Sequence, residues 1–221
     1  MKLIIRLALV SALALPICAI PPAPSMSPEA ALQELVEGNK RFAEGKPLHA
    51  KADLARVTEL AKGQAPYAIV LACSDSRLAP EILFDKGLGE LFVIRVAGNI
   101  PDPVVLGSIE YAAEHLGSPL VIVLGHERCG AVTATVSHKG EPEGNIGAII
   151  KIIQPAAKAA KAAGKGKETA QIVEDAIDIN TKLVAANLTK HSKVLAHLVK
   201  EGKLKVVSGK YDLDDGKVTL N

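Results

Sequence analysis

The sequence predicts an α/β fold: a mostly parallel central β-sheet flanked by helices, with an N-terminal helical arm and an antiparallel C-terminal edge strand. Three observations carry that expectation. Residues 67–72, 91–96 and 120–124 are apolar runs of strand length, interrupted only by Arg95 near the end of the second. Without polar alternation they must be buried on both faces, as strands of parallel sheets are. A helical pattern separates the second run from the third, and further helical patterns follow, which is how parallel strands are connected. A strand, a turn and a second short strand close the chain.

The elements follow in order. Ser27-Pro28-Glu29 opens a helix, with Ser as N-cap, Pro at the first helical position and an acid in the first turn. Leu32, Leu35, Val36 and Phe42 then form one stripe at helical spacing, so this arm needs a surface to cover. Asp102 and Pro103 start the next helix, which carries Leu106, Ile109, Ala113 and Leu116 and stops at Gly117. The Ala- and Lys-rich stretch 151–167, with Gly164 and Gly166 near its end, reads as a solvated helix face running into a loop rather than a basic binding patch. Ile172, Ala176, Leu183, Val184 and Leu188 mark an amphipathic helix, and 193–201 another before Gly202. Residues 204–211 read as a strand, Asp214-Asp215-Gly216 as a turn, and 217–220 as the edge strand.

Composition narrows the function. The chain has 221 residues, 48% hydrophobic and 23% charged, so it folds around a core. A net charge of +2 argues against a nucleic-acid footprint, and 3% aromatic residues with no Trp argue against a base-stacking platform. Residues 1–20 form an export-signal pattern: Lys2 and Arg6 lead into a short apolar run from Leu7 that Pro16 interrupts. That run is too short for a membrane span. The expectation is a periplasmic or secreted protein with no stable membrane span after signal removal, cut after Ala19 or Ala23. Residues 21–221 then form a single domain, with no internal repeat. Of the three cysteines, Cys18 leaves with the signal, and Cys73 and Cys129 remain. In an oxidising compartment such a pair ordinarily suggests a disulfide.

Local sequence points elsewhere. Cys73-Ser74-Asp75-Ser76-Arg77 and Gly125-His126-Glu127-Arg128-Cys129-Gly130 each follow a buried run. Open parallel sheets bind ligands beyond the carboxyl ends of their strands. Two thiols and an imidazole suit zinc, and three protein ligands leave a fourth tetrahedral position free for chemistry. The His-x-x-Cys spacing alone is weak evidence. Asp75 strengthens it, because a carboxylate two residues from a ligand can accept a hydrogen bond from a reacting water, and Arg77 favours its charged form.

With Arg95-Val96-Ala97-Gly98-Asn99 between them, these motifs resemble the β-class carbonic anhydrases, here as a bacterial, exported member, over roughly residues 32–220. The resemblance implies one zinc ion per subunit on Cys73, His126 and Cys129, with the Asp75–Arg77 dyad orienting the catalytic water. It matches Gln64, nine residues before Cys73, to a substrate-pocket glutamine. Phe92 and Tyr111 match an apolar pocket at a dimer interface that draws residues from both subunits. The resemblance also puts Ala97 and Gly98 in the substrate pocket, and these two fall with Tyr67 where members vary. Carbon dioxide or bicarbonate is then the substrate, and a homodimer or homotetramer the assembly. With no Trp, the Trp-containing bicarbonate-inhibition pocket of some members cannot form in its usual way. Rival readings fit less well. A Cys73–Cys129 redox protein leaves His126, Asp75 and Arg77 idle, and a Cys73–His126 hydrolase leaves Cys129 idle. A structural zinc module closes its site with four protein ligands. A carbon disulfide or carbonyl sulfide hydrolase of the same fold would use the same ligands and stays the alternative.

Overall fold

The computed structural model describes residues 26–142 and 144–221; the signal expected at 1–20 lies outside the described residues. Five strands, β1 (Ala68–Ala72), β2 (Leu91–Arg95), β3 (Leu120–His126), β4 (Lys205–Tyr211) and β5 (Val218–Leu220), form one sheet in the order β2-β1-β3-β4-β5. The first four are mutually parallel, and β5 runs antiparallel to β4 as the expected edge strand. Every residue of β1 and β3 is buried, which explains their unbroken apolar runs. Neighbouring residues face opposite layers. Val70 and Ile122 join one core with Leu35, Phe84, Ile153 and Ile177. Ile69, Leu71, Val121 and Val123 join another with Ile109, Val184, Leu188 and Leu195. Each fully buried Leu or Ile side chain contributes about 1.5–3 kcal/mol, so both faces are firmly covered.

The chain leaves β1 for β2 on one side and returns to β3 on the other, so the sheet changes direction at β1 and a crevice opens at its carboxyl end. The third apolar run extends further than expected, and His126 is the last residue of β3 rather than a residue beyond it.

Helix α1 (Pro28–Ala43) starts as expected, Ser27 Oγ accepting from the Ala30 N–H at 3.1 Å. It docks on its own chain. Asn39 is buried and spans to three backbone groups, donating to the carbonyls of Leu83 and Gly216 and accepting from the Val218 N–H. Leu35 is buried, whereas Val36 remains exposed. The short helices α2 (Leu54–Leu60) and α3 (Pro80–Leu83) carry too little periodicity to be expected. Helix α4 (Pro103–Glu114) is capped by Asp102, which accepts from the Val105 N–H at 2.7 Å. Helix α5 (Gly130–Ser137) begins immediately after Cys129. Helix α6 (Ile146–Ala163) covers the Ala/Lys stretch, burying Ile150, Ile153, Ala156, Ala157 and Ala160 while its lysines face solvent. Helices α7 (Thr169–His191) and α8 (Lys193–Lys200) complete the chain before β4. In α7 the expected Leu183 is exposed, and Asn180 and Thr181 lie buried in its inward stripe. Among the described residues no helix is long and apolar enough to cross a membrane.

Candidate metal centre

Because β1 and β3 are hydrogen-bonded neighbours, the segments that leave their carboxyl ends converge. Cys73 follows β1, His126 ends β3, and Cys129 sits at the N-cap of α5. All three are buried, at 4%, 0% and 1% exposure. Their ligating atoms lie within 4.8 Å of one another, and the two sulfurs, both free thiols, are 4.0 Å apart. Tetrahedral zinc with bonds of about 2.3 Å holds two sulfurs about 3.8 Å apart, so little movement separates this arrangement from a metal site.

The imidazole supplies an independent sign. His126 Nδ1 lies 2.8 Å from the Glu127 carbonyl. A carbonyl only accepts, so Nδ1 carries the proton and Nε2 presents a bare lone pair. That Nε2 is buried with no protein partner. An unsatisfied buried acceptor is costly, and a ligating histidine is set up this way, its other nitrogen tied to a carbonyl. The donor set therefore fits zinc.

The thiols are electrostatically linked. The Cys73 thiol is drawn well below its ordinary value, first by the Cys129 thiol and then by the Gly98 N–H, against the effect of burial. Cys129 moves upward because a thiolate beside it, together with burial, disfavours a second charge. A cation between them would let both ionise. The Gly98 N–H reaches Cys73 Sγ at 3.3 Å from a left-handed turn with φ +72°. A Cβ at this position would meet Ile153 Cδ1 at 2.6 Å, and the positive φ strains any residue other than glycine.

Asp75 stands at the rim of this cluster, Oδ2 lying 3.8 Å from His126 Nε2. Arg77 engages both carboxylate oxygens: its backbone N–H and Nε reach Oδ1 at 3.0 and 2.9 Å, and Nη2 reaches Oδ2 at 2.7 Å. These hydrogen bonds, aided by the charge of Arg77, hold the Asp75 carboxyl well below the usual carboxylate range despite partial burial. The carboxylate is thus ionised at neutral pH and committed to Arg77.

Two further contributions were not legible in the motifs. Arg95, at the end of β2, donates to the Cys73 carbonyl at 3.2 Å and the Asp75 carbonyl at 2.7 Å, clamping the loop between ligand and dyad. An arginine closing an apolar strand was the available signal. The spacer residues Glu127 and Arg128 tie the ligand turn to the C-terminal hairpin: Glu127 accepts from the Leu213 N–H, and Arg128 forms a two-pronged pair with Asp214.

The expected pocket residues divide. Ala97 and Gly98 lie in the 3-10 turn Ala97–Asn99 beside Cys73. The other three are remote from their own chain's cluster. Gln64 precedes β1 and lines a separate cavity with Glu34, Lys51, Arg56 and Glu90. Phe92 pairs in register with Ile69, three rows before the Ala72–Arg95 pair at the end of the sheet that carries the cluster. Tyr111 on α4 packs against Phe92 at 6.4 Å between ring centroids and is exposed. An apolar cavity of about 370 Å³ between α1 and β5 touches none of the ligand residues.

Known proteins resemble this chain in sequence and in fold. Residues 68–218 match the family model for carbonic anhydrase. The chain is 40% identical over 200 residues to a carbonic anhydrase of Mycolicibacterium smegmatis, covering 89% of this chain and 95% of that protein. It is 37% identical over 200 residues to carbonic anhydrase 2 of Mycobacterium tuberculosis, covering 89% and 94%. The β-carbonic anhydrase CafA of Aspergillus fumigatus superposes with a TM-score of 0.70 at 25% identity, over 87% of this chain and 89% of that one. The β-carbonic anhydrase CcaA shares the fold with a TM-score of 0.69 at 24% identity, over 86% and 94%. A family match across most of the sheet, from the start of β1 to the start of β5, joined to close relatives over nearly the whole described chain, means that this chain belongs to the carbonic anhydrase family, in its β class.

Proposed function

We propose that this protein catalyses the zinc-dependent, reversible hydration of carbon dioxide to bicarbonate and a proton. The observation that carries the reading is the buried, unpartnered Nε2 of His126 beside two sulfurs 4.0 Å apart. Cys73, His126 and Cys129 would hold one zinc ion per subunit. When bound, the ion supplies a Lewis acid that renders a water nucleophilic near neutral pH. Asp75 would accept a hydrogen bond from the attacking water and so turn its lone pair toward the substrate, and Arg77 keeps Asp75 ionised and stationary. Arg95 fixes the spacing between the ligand and the orienting carboxylate by holding both loop carbonyls. The released proton passes to solvent or buffer. Stopped-flow measurement of carbon dioxide hydration on protein analysed for metal tests the reading. A zinc-loaded protein that is inert toward carbon dioxide but hydrolyses carbon disulfide or carbonyl sulfide would replace it with the alternative.

The activity should still be rising above about pH 7, the value known for water in carbonic anhydrases with three histidine ligands. Two thiolate donors, Cys73 and Cys129, would cancel the formal charge of a bound zinc ion and leave it a weaker Lewis acid than a three-histidine site provides. The Gly98 N–H on Cys73 moderates the difference without removing it. Asp75 does not contribute to this limb, since it stays charged throughout. A rate profile flat from about pH 6.5 upward would contradict the argument.

Gln64, Phe92 and Tyr111 are assigned to the substrate pocket of a second copy, which makes the working unit a homodimer or homotetramer. Support comes from β2, an edge strand of half-buried residues that carries Phe92. The fold is also shared with tetrameric β-carbonic anhydrases of Sordaria macrospora, at a TM-score of 0.69 and 22% identity. Sedimentation at assay concentration should give no monomer, and a fully active monomer would overturn the assignment. The leader pattern at 1–20 supports export to the periplasm or beyond, and sequencing of the mature N-terminus tests it.

A further inference from the structure

Helix α7 carries polar side chains where its inward stripe should be apolar. Asn180 and Thr181 are 3% and 1% exposed in the middle of a 23-residue helix. Asparagine is a poor helix former, and a buried amide is tolerated only when it has a partner. The Asn180 Nδ2 group donates to the Gly98 carbonyl at 3.1 Å. That bond steadies the left-handed turn whose N–H points at Cys73 Sγ. One residue on, Thr181 binds its own helix at Ile177 and presses against Gly125, where a Cβ would lie 2.2 Å from Thr181 Oγ1. Gly125 immediately precedes His126. Less than two turns earlier, Glu174 Oε1 accepts from the Arg128 N–H at 2.8 Å. Arg128 stands between His126 and Cys129 with φ +50°, a conformation that a non-glycine residue keeps only when its surroundings impose it. One helix thus reaches all three ligand-bearing segments.

We propose that α7 is the template of the metal centre, with Asn180 and Glu174 as positioning residues: Asn180 holds the Gly98 turn against the Cys73 sulfur, and Glu174 holds the turn that joins His126 to Cys129. The proposal rests on the reading of Cys73, His126 and Cys129 as zinc ligands. Neither positioning residue touches metal or substrate, so each acts through the backbone it fixes.

The test uses Asn180→Leu, Glu174→Leu and Glu174→Gln in the full chain. Zinc affinity of the metal-free protein is measured by competition with a chromophoric chelator, and the cobalt(II)-loaded forms are compared by their thiolate-to-cobalt charge-transfer band. Asn180→Leu should weaken zinc binding about tenfold or more, the usual effect of losing an outer partner. It should also move the band to longer wavelength, because a sulfur without its N–H donor gives up electron density more readily. Glu174→Leu should weaken zinc binding on the same scale with the band in place. Glu174→Gln should bind like the unaltered protein, because its amide oxygen still accepts from the Arg128 N–H. Should Asn180→Leu fail to fold, the two Glu174 variants, at a part-exposed position, still decide. Leucine variants that bind zinc normally with an unshifted band would overturn the proposal, as would a Glu174→Gln variant as weak as Glu174→Leu. Absence of a charge-transfer band in the unaltered protein would instead overturn the ligand reading, and the proposal with it.

Discussion

Cys129→Ala is expected to lose both the zinc ion and the carbon dioxide hydration activity. Cys129 is 1% exposed, and its sulfur is one of three donors within 4.8 Å of one another. Removal leaves one thiol and one imidazole, two positions short of a closed shell, in a site whose fourth position must stay free for chemistry. The fold should survive the change. The Cys129 backbone carbonyl still accepts from the Thr133 N–H and hydroxyl to start α5. The lost sulfur is a small buried group, comparable to deletions that cost about 1 kcal/mol. Metal analysis after dialysis should fall from one zinc per chain to near none, and stopped-flow rates to the uncatalysed level. A urea midpoint close to that of the unaltered metal-free protein would separate this outcome from unfolding. Retention of a full zinc equivalent by the variant would refute the ligand assignment.

Asp75→Asn should keep its zinc and lose roughly 100-fold or more of its turnover, the scale on which a single oriented polar group acts in catalysis. The substitution changes almost no volume, so metal analysis should be normal. What changes is the pattern of donors and acceptors. Arg77 sends three donors into the two carboxylate oxygens. An asparagine can satisfy them at one oxygen only, so its amide group either faces the guanidinium or points a donor at the reacting water. Either outcome removes the acceptor that orients that water. Mild acid should not reproduce the effect in the unaltered enzyme. Arg77 lowers the Asp75 value, and a carboxyl so lowered remains charged until the pH falls below its ordinary value of about 4. A variant with near-normal turnover would show that another group orients the water.

Much of this protein is legible along the chain. Runs such as 120–124 have no polar alternation, and burial on both faces is the physical cause, so the parallel sheet and its order of elements follow directly. The candidate donors and the Asp75–Arg77 pair are equally readable, because Cys73, Asp75 and Arg77 lie within five residues and His126 and Cys129 within four. Within each motif the local backbone sets which side chains meet, whereas the two motifs meet each other only because β1 and β3 pair. Three-dimensional packing was needed for everything that depends on a distant partner. Asn180 meets Gly98 across 82 residues and Glu174 meets Arg128 across 46, and neither pairing leaves a periodic trace in sequence. The same holds for Asn39, which fastens α1 to Gly216 at a separation of 177. It also holds for Gln64, Phe92 and Tyr111, whose distance from their own chain's cluster emerges only from strand register. A short segment dictates its own conformation and chemistry, whereas contacts between segments are chosen by which helix faces and strand edges remain to be covered once the whole chain has closed on its core.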